Sequence, residues 1–252
     1  FDDNWFDITD GLGFSLVARD TLATDPNAWG QKCSWRPSAT AGGSPGFDDT
    51  GDLPELGAVV VNEVLANPAA GASDWIELHN TTDQTIDLGG WFLSDDVDNL
   101  TKYEIAIGTS LPAGGYAVFS EDEQFGNTDD PGCHVPFGLS RNGETAYLHS
   151  GADGTLTGYS EQEKFGASQA GVSLGRYEKS TGTYNFVALS ETTPGVASAA
   201  PAVGPIVITE IMYNPAIAGQ AEYVELLNIS DVAVTLYDEI RGTPWRFTQH
   251  KI

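Results

Sequence analysis

Val59-Val60-Val61-Asn62-Glu63-Val64-Leu65-Ala66-Asn67-Pro68 and Ile206-Val207-Ile208-Thr209-Glu210-Ile211-Met212-Tyr213-Asn214-Pro215 are one pattern written twice, and that repetition decides the fold. Each is a β-branched run with one glutamate at the same place, closed by Asn-Pro, which reads as a strand entering a turn. A second block follows in both copies. Asp74-Trp75-Ile76-Glu77-Leu78-His79-Asn80 matches Glu222-Tyr223-Val224-Glu225-Leu226-Leu227-Asn228, with one residue inserted between the blocks. Trp75, Glu77 and His79 alternate with Ile76 and Leu78, as expected of a strand with one buried and one wet face.

Working outward, the end of the unit recurs as well. Gly13-Phe14-Ser15-Leu16 resembles Gly171-Val172-Ser173-Leu174, and Gly43-Ser44-Pro45-Gly46 resembles Thr192-Thr193-Pro194-Gly195. Each Pro-Gly precedes the next unit by a short linker. The chain is therefore expected to hold the C-terminal part of one repeat (1–50), a complete repeat (57–198) and the N-terminal part of a further one (204–252). The spacers 48–54 and 198–202 are small and contain proline. Within the complete repeat, strands are expected near 58–66, 73–80, 84–94, 102–107, 114–120, 144–149, 154–160, 171–177 and 184–189. No stretch of ten residues has helical amphipathicity, and the strand number suits an all-β sandwich.

The blocks resemble the lamin tail domain family. Its pattern stands here as Asn62-Glu63, Asn67-Pro68, the block from Asp74 to Asn80, Asp87-Leu88-Gly89-Gly90-Trp91-Phe92-Leu93-Ser94-Asp95, Leu111-Pro112-Ala113-Gly114-Gly115-Tyr116, and the run Leu139-Ser140-Arg141-Asn142-Gly143-Glu144. The C-terminal copy departs after Asn228, where Leu236-Tyr237-Asp238 and Thr243-Pro244-Trp245-Arg246-Phe247 replace the Gly-Gly-Trp element. The resemblance implies immunoglobulin-like β-sandwich repeats, one complete and two partial. It further implies a secreted or surface protein, because bacterial relatives occur on such proteins, and a structural role, because in nuclear lamins the module belongs to filament-forming proteins. It carries over no catalytic residue.

Acidic residues number 36 against 11 Lys and Arg, a net charge of −25, which repels phosphate backbones and anionic lipid. Nucleic acid and membrane insertion are thus not expected, and no apolar run approaches 18 residues. The start at Phe1 reads as a mature or trimmed segment of something longer. With 40% hydrophobic residues, six Trp, nine Tyr and eleven Phe, the chain has material for real cores. Cys33 and Cys133 lack CxxC or Cys/His company, which argues against zinc and leaves a single disulfide between them as a candidate.

Glu63 and Glu77, with counterparts Glu210 and Glu225, are expected to bond loop amides and anchor the fold, cation ligation being the alternative. Asp95, Asp96 and Asp98 offer the oxygens of a candidate calcium site but lack the EF-hand glycine and closing glutamate, so an exposed acidic turn competes. Sequons at Asn80, Asn99 and Asn228 are glycan acceptors only in a suitable secretory pathway, and for Asn80 and Asn228, which share one repeat position, turn geometry is explanation enough without sugar. No HExxH, GxSxG or P-loop is present, and His79, His134, His149 and His250 suggest no triad, so no enzyme and no cofactor other than calcium is expected. Trp91, and with it Trp75, is assigned to the core; a carbohydrate groove is the competing use of the tryptophans. The expected function is a non-catalytic extracellular or cell-surface module that associates with neighbouring copies by head-to-tail completion of its half repeats, the alternatives being that the halves close onto each other within one chain or are pieces of a longer repeat protein. The alternative is a carbohydrate- or calcium-binding accessory to a larger secreted enzyme or adhesin.

Overall fold

The β-branched run 59–65 becomes the axis of the fold, a strand buried along its whole length. The computed structural model describes all residues except 1, 3–4, 52, 217–219, 239–241 and 246–252, so Arg246, Phe247 and His250 lie outside the described residues. Strands in chain order are β1 (Leu16–Ala18), β2 (Trp35–Pro37), β3 (Val59–Leu65), β4 (Trp75–Asn80), β5 (Ile86–Asp87), β6 (Phe92–Ser94), β7 (Tyr103–Glu104), β8 (Ser110–Leu111), β9 (Tyr116–Ser120), β10 (Gly143–Ala152), β11 (Thr155–Gly166), β12 (Leu174–Glu178) and β13 (Tyr184–Ala188). They are followed by β14 (Ile206–Met212), β15 (Tyr223–Asn228), β16 (Tyr237–Asp238) and β17 (Thr243–Pro244).

Two antiparallel sheets face each other, β13-β12-β3-β4-β9 and β11-β10-β6-β7. Their inner faces contribute Val61, Val64, Ile76 and Leu78 on one side and Leu93, Ala146 and Leu148 on the other, closed by Trp91, Ile105 and Leu111. Fully burying one such aliphatic side chain contributes about 1.5–3 kcal/mol, and this layer is the main source of stability. Tyr159 fastens the sheets together. Its ring lies 5.0 Å from that of Trp91. Its hydroxyl accepts from the Val59 amide at 2.9 Å and donates to the Val59 carbonyl at 2.7 Å. Burial pushes the phenol pKa upward, which keeps that proton in place.

The expected strand 84–94 is two strands in two sheets. The chain turns at Gly89-Gly90, where Gly90 has φ +82° and the Trp91 amide reaches the Leu88 carbonyl at 3.0 Å. β5 therefore pairs with β8, an element too short to show in the pattern, while β6 joins the opposite sheet. β4 also differs from expectation: Trp75 and Glu77 are buried along with Ile76 and Leu78, because both faces of the strand are covered.

The chain divides into two compact units, Phe1–Ala202 and Val203–Ile252. In the first, Ile8, Phe14 and Leu100 form a small second core against Tyr147 and Leu156. Since Ala146 and Leu148 point into the sandwich, Tyr147 lies on the opposite face of β10, and the N-terminal segment covers that outer face. In the second unit β14 pairs with β15 and β16 with β17.

Candidate functional site

The centre of the site is a bulge. Val61 pairs with Leu78 and Glu63 with Glu77, so Asn62 is an extra residue on β3. Such an insertion re-aims the neighbouring side chains. It sets Glu63 and Glu77 side by side, both 0% exposed. Two buried carboxylates need donors, and an unmatched one costs several kcal/mol.

The donors come from a strap after β13. The Thr193 amide donates to Glu63 Oε1 at 3.0 Å and the Thr193 hydroxyl to Oε2 at 2.5 Å. The Gly195 amide donates to Glu77 Oε2 at 2.5 Å. Asn62, the bulged residue, donates from Nδ2 to Glu77 Oε1 at 2.7 Å and to the Ser198 hydroxyl at 3.0 Å. The strap turns at Thr193-Pro194-Gly195-Val196, where the Val196 amide meets the Thr193 carbonyl at 3.2 Å. Proline pre-sets the turn and Gly195, at φ +85°, takes the left-handed position that a side chain would resist. The strap then returns to the sheet, with Ser190 N on Ala200 O at 2.9 Å and Ala202 N on Ala188 O at 2.7 Å. Burial pushes the Glu77 carboxyl up to about 7, and the Gly195 and Asn62 donors hold it back. Nearby, burial also raises Glu161 to about 7 against the pull of Arg176, whose Nη1 lies 3.6 Å from Glu161 Oε1.

A second polar anchor is Asn80, which is fully buried. Its Nδ2 donates to the carbonyls of Gln84, Leu111 and Pro112 at 2.7–3.0 Å, and its Oδ1 accepts from the Thr82 amide and hydroxyl. Asn228 repeats the local half of this in the second unit, with Nδ2 on Val232 O and Oδ1 accepting from Ser230. The sequons at these places are therefore turn-forming asparagines.

Residues 54–164 match the family model of the Lamin Tail Domain. That segment is a lamin tail domain. Its family is immunoglobulin-like and structural, not enzymatic, and the two-sheet architecture agrees. No curated protein matches the chain. The matched residues end before β12, β13 and the strap, so Thr193 and Gly195, which donate to the two buried glutamates, lie C-terminal to the matched segment, while Asn62 lies within it.

The remaining sequence-derived candidates fall at separate places along the chain. Asp95 and Asp96 face Lys102, whose ammonium lies 2.6 Å from Asp95 Oδ1 and 3.4 Å from Asp96 Oδ2. Asp98 instead donates its amide to Asp96 Oδ1 at 3.0 Å. The loop thus carries its own cation, and among the described residues no group of three or more His, Cys, Asp or Glu is arranged to hold a metal. The structure does not join Cys33 and Cys133. Both are free, Cys33 exposed and Cys133 half-buried with its thiol on the Phe125 carbonyl at 3.4 Å. Trp75 and Trp91 are buried, while Trp245 is exposed. A cleft of about 760 Å³ has Thr82, Gln84, Asp87, Ser150 and Thr157 among its lining residues, with Trp91 at its wall. His149 is fully buried, and burial drives its pKa down to about 3, so it stays neutral beside Ser160.

Sequence reasoning missed Asn62, Thr193, Gly195 and Ser198. The signal is present: Thr193-Pro194-Gly195 recurs as Ser44-Pro45-Gly46, which by sequence alone reads as punctuation between repeats and not as a donor set for the glutamates.

Proposed function

We propose that the chain is a non-catalytic structural module of the cell surface or exterior, whose repeats join end to end into an extended assembly. The observation that carries this is the second unit. β14–β15 reproduces β3–β4 down to the bulge, with a register break between Ile208 and Glu210 and with Glu210 opposite Glu225. In place of a buried interior it carries Ile208 at 53%, Ile211 at 58% and Leu227 at 50% exposure. An apolar hairpin of this kind is a surface for another chain segment. The acidic surplus favours solubility over nucleic-acid or membrane partners and supports an exterior location. Light scattering across a concentration series tests the reading: mass should rise with concentration toward head-to-tail oligomers visible by electron microscopy. Compact monomers at every concentration would remove it.

A second reading, a carbohydrate-binding accessory, is favoured only by the cleft beside Trp91 with its hydroxyl- and amide-bearing lining. A glycan array decides it, silence leaving the structural reading alone.

A further inference from the structure

The cleft beside Trp91 is built by two parts of the chain. One wall is the end of the sandwich, at 82–87 and 150–152, and the other is the segment ahead of the matched domain, at 39–40 and 50–53. That second wall is held firmly. Asp49 accepts from Arg36 Nη1 at 2.6 Å and from the Ala39 amide at 3.0 Å, and Arg19 pairs with Glu55. Two glycines let the parts close on each other: a Cβ on Gly158 would collide with the Ser38 carbonyl oxygen, and one on Gly51 with the Ala39 side chain. Leu53 then packs against the main core. The cleft is thus formed before any ligand arrives, and its volume of about 760 Å³ lies within the span of about 300–1,000 Å³ usual for small-ligand sites.

Its free groups are of one kind. No Lys, Arg or His lines it, while Asp83 and Asp87 stand exposed at its rim. Asp83 Oδ1 accepts from Gln84 Nε2 at 3.3 Å and Asp87 Oδ1 from the Gly89 amide at 2.9 Å, which leaves Oδ2 of each without a donor among the described residues. The hydroxyls of Thr40, Thr50 and Thr85 are likewise unpartnered among the described residues. Carboxylate oxygens only accept, so a fitting ligand must donate, and an acidic one is repelled. Threonine hydroxyls both donate and accept, as the hydroxyls of a sugar do. Leu53, Pro54 and Ile86 supply apolar surface for the C–H faces of its rings. An ammonium in such a ligand adds a charge-assisted bond to an aspartate.

We infer that the cleft binds an oligosaccharide carrying free amino groups, with Asp83 and Asp87 holding its ammonium groups and Thr40, Thr50 and Thr85 its hydroxyls, and that it rejects acidic glycans. This rests on the second reading above and names its substrate class. Thr40 and Thr50 stand outside the matched family segment, so the site belongs to the domain together with the segment ahead of it and not to the domain alone. The net charge of −25 draws cations toward the chain, and the cleft selects among them by shape and hydroxyl pairing.

The test is calorimetry on the full chain with glucosamine, N-acetylglucosamine and galacturonate oligomers of one length, and with a lysine oligomer as matched polycation. The glucosamine oligomer should bind at least tenfold tighter than the N-acetylated one, and the galacturonate oligomer should not bind. Asp83→Asn together with Asp87→Asn should erase that preference at an unchanged melting temperature, since asparagine keeps the Oδ1 acceptor that each turn uses. Thr50→Arg should abolish binding by setting a cation and its bulk in the cleft. Equal binding of the three glycans, or tighter binding of the acidic one, overturns the amino-sugar assignment and leaves the carbohydrate reading standing. Equal binding of the lysine oligomer, or glucosamine binding that survives both variants, traces the effect to net charge and overturns the site. No binding of any glycan removes this inference and the carbohydrate reading together.

Discussion

Glu63 and Glu77 lie opposite each other across β3 and β4, wholly buried, and two residues of one turn, Thr193 and Gly195, hold one carboxylate each. The C-terminal strap is thereby tied to the first two strands of the lamin tail domain. Two carboxyl groups side by side in a dry site persist because four donor groups converge on them, two from Thr193 and one each from Gly195 and Asn62.

Removing those donors should cost more than their exposed loop position suggests. Thr193→Val leaves Glu63 Oε2 without its hydroxyl partner and should destabilise the sandwich by about 1–3 kcal/mol. Gly195→Ala should cost about 1 kcal/mol or more through its left-handed backbone alone. Urea unfolding of the two variants checks this, and loss of less than about 0.5 kcal/mol in both would detach the strap from the stability of the domain.

Acidity should stabilise the fold within one window. Glu77 and Glu161 have folded pKa values near 7 against an ordinary 4.5. Between these values the folded chain binds more protons than the unfolded one, so stability falls as pH rises from 4.5 to 7 and the gain is complete below 4.5. Asp49, which its Arg36 and Ala39 partners hold below the usual carboxylate range, acts oppositely, and its contribution is lost as pH drops below the ordinary 3.8. The melting temperature at pH 5 should exceed that at pH 8, and Glu77→Gln should flatten the dependence.

Asn80→Ala should be among the most damaging single changes. It strands three carbonyls and removes the acceptor for the Thr82 turn, a loss of about 2–4 kcal/mol if each stranded group costs about 1 kcal/mol. Thermal unfolding measures it. In a glycosylating host Asn80 should remain unmodified, because its amide nitrogen is fully engaged, and mass spectrometry of the folded protein reads this directly.

The acidic loop should not respond to calcium. Lys102 already neutralises Asp95 and Asp96, so millimolar calcium should leave the melting temperature unchanged. Lys102→Met should lower it, by about 2 kcal/mol of stability, by leaving two carboxylates beside each other. A calcium-dependent rise in the unmodified chain would contradict this placement.

Much of the architecture was legible in the residues. The runs 59–65, 75–80 and 116–120 announce strands because β-branched and aromatic side chains there are bounded by Asn, Pro and Gly. The repetition of the glutamates located the site. Two things were not legible. The run 84–94 concealed a change of sheet, because Leu88 and Trp91 are equally apolar on either side of a glycine turn. The alternation of Trp75 and Glu77 with Ile76 and Leu78 suggests a wet face, but a strap more than a hundred residues away in sequence reaches Glu77 there, and period-two patterning carries no information about distant cover. The donors were hidden for the same reason: Thr193 and Gly195 look like any turn until the bulge at Asn62 aims two carboxylates at them.

Hydrogen exchange of residues 206–212 and 223–228, followed as chain concentration rises, tests end-to-end completion most directly. The account predicts fast exchange at the outer edge of β14 in dilute solution and protection that grows with concentration. Exchange that is the same at every concentration would contradict it.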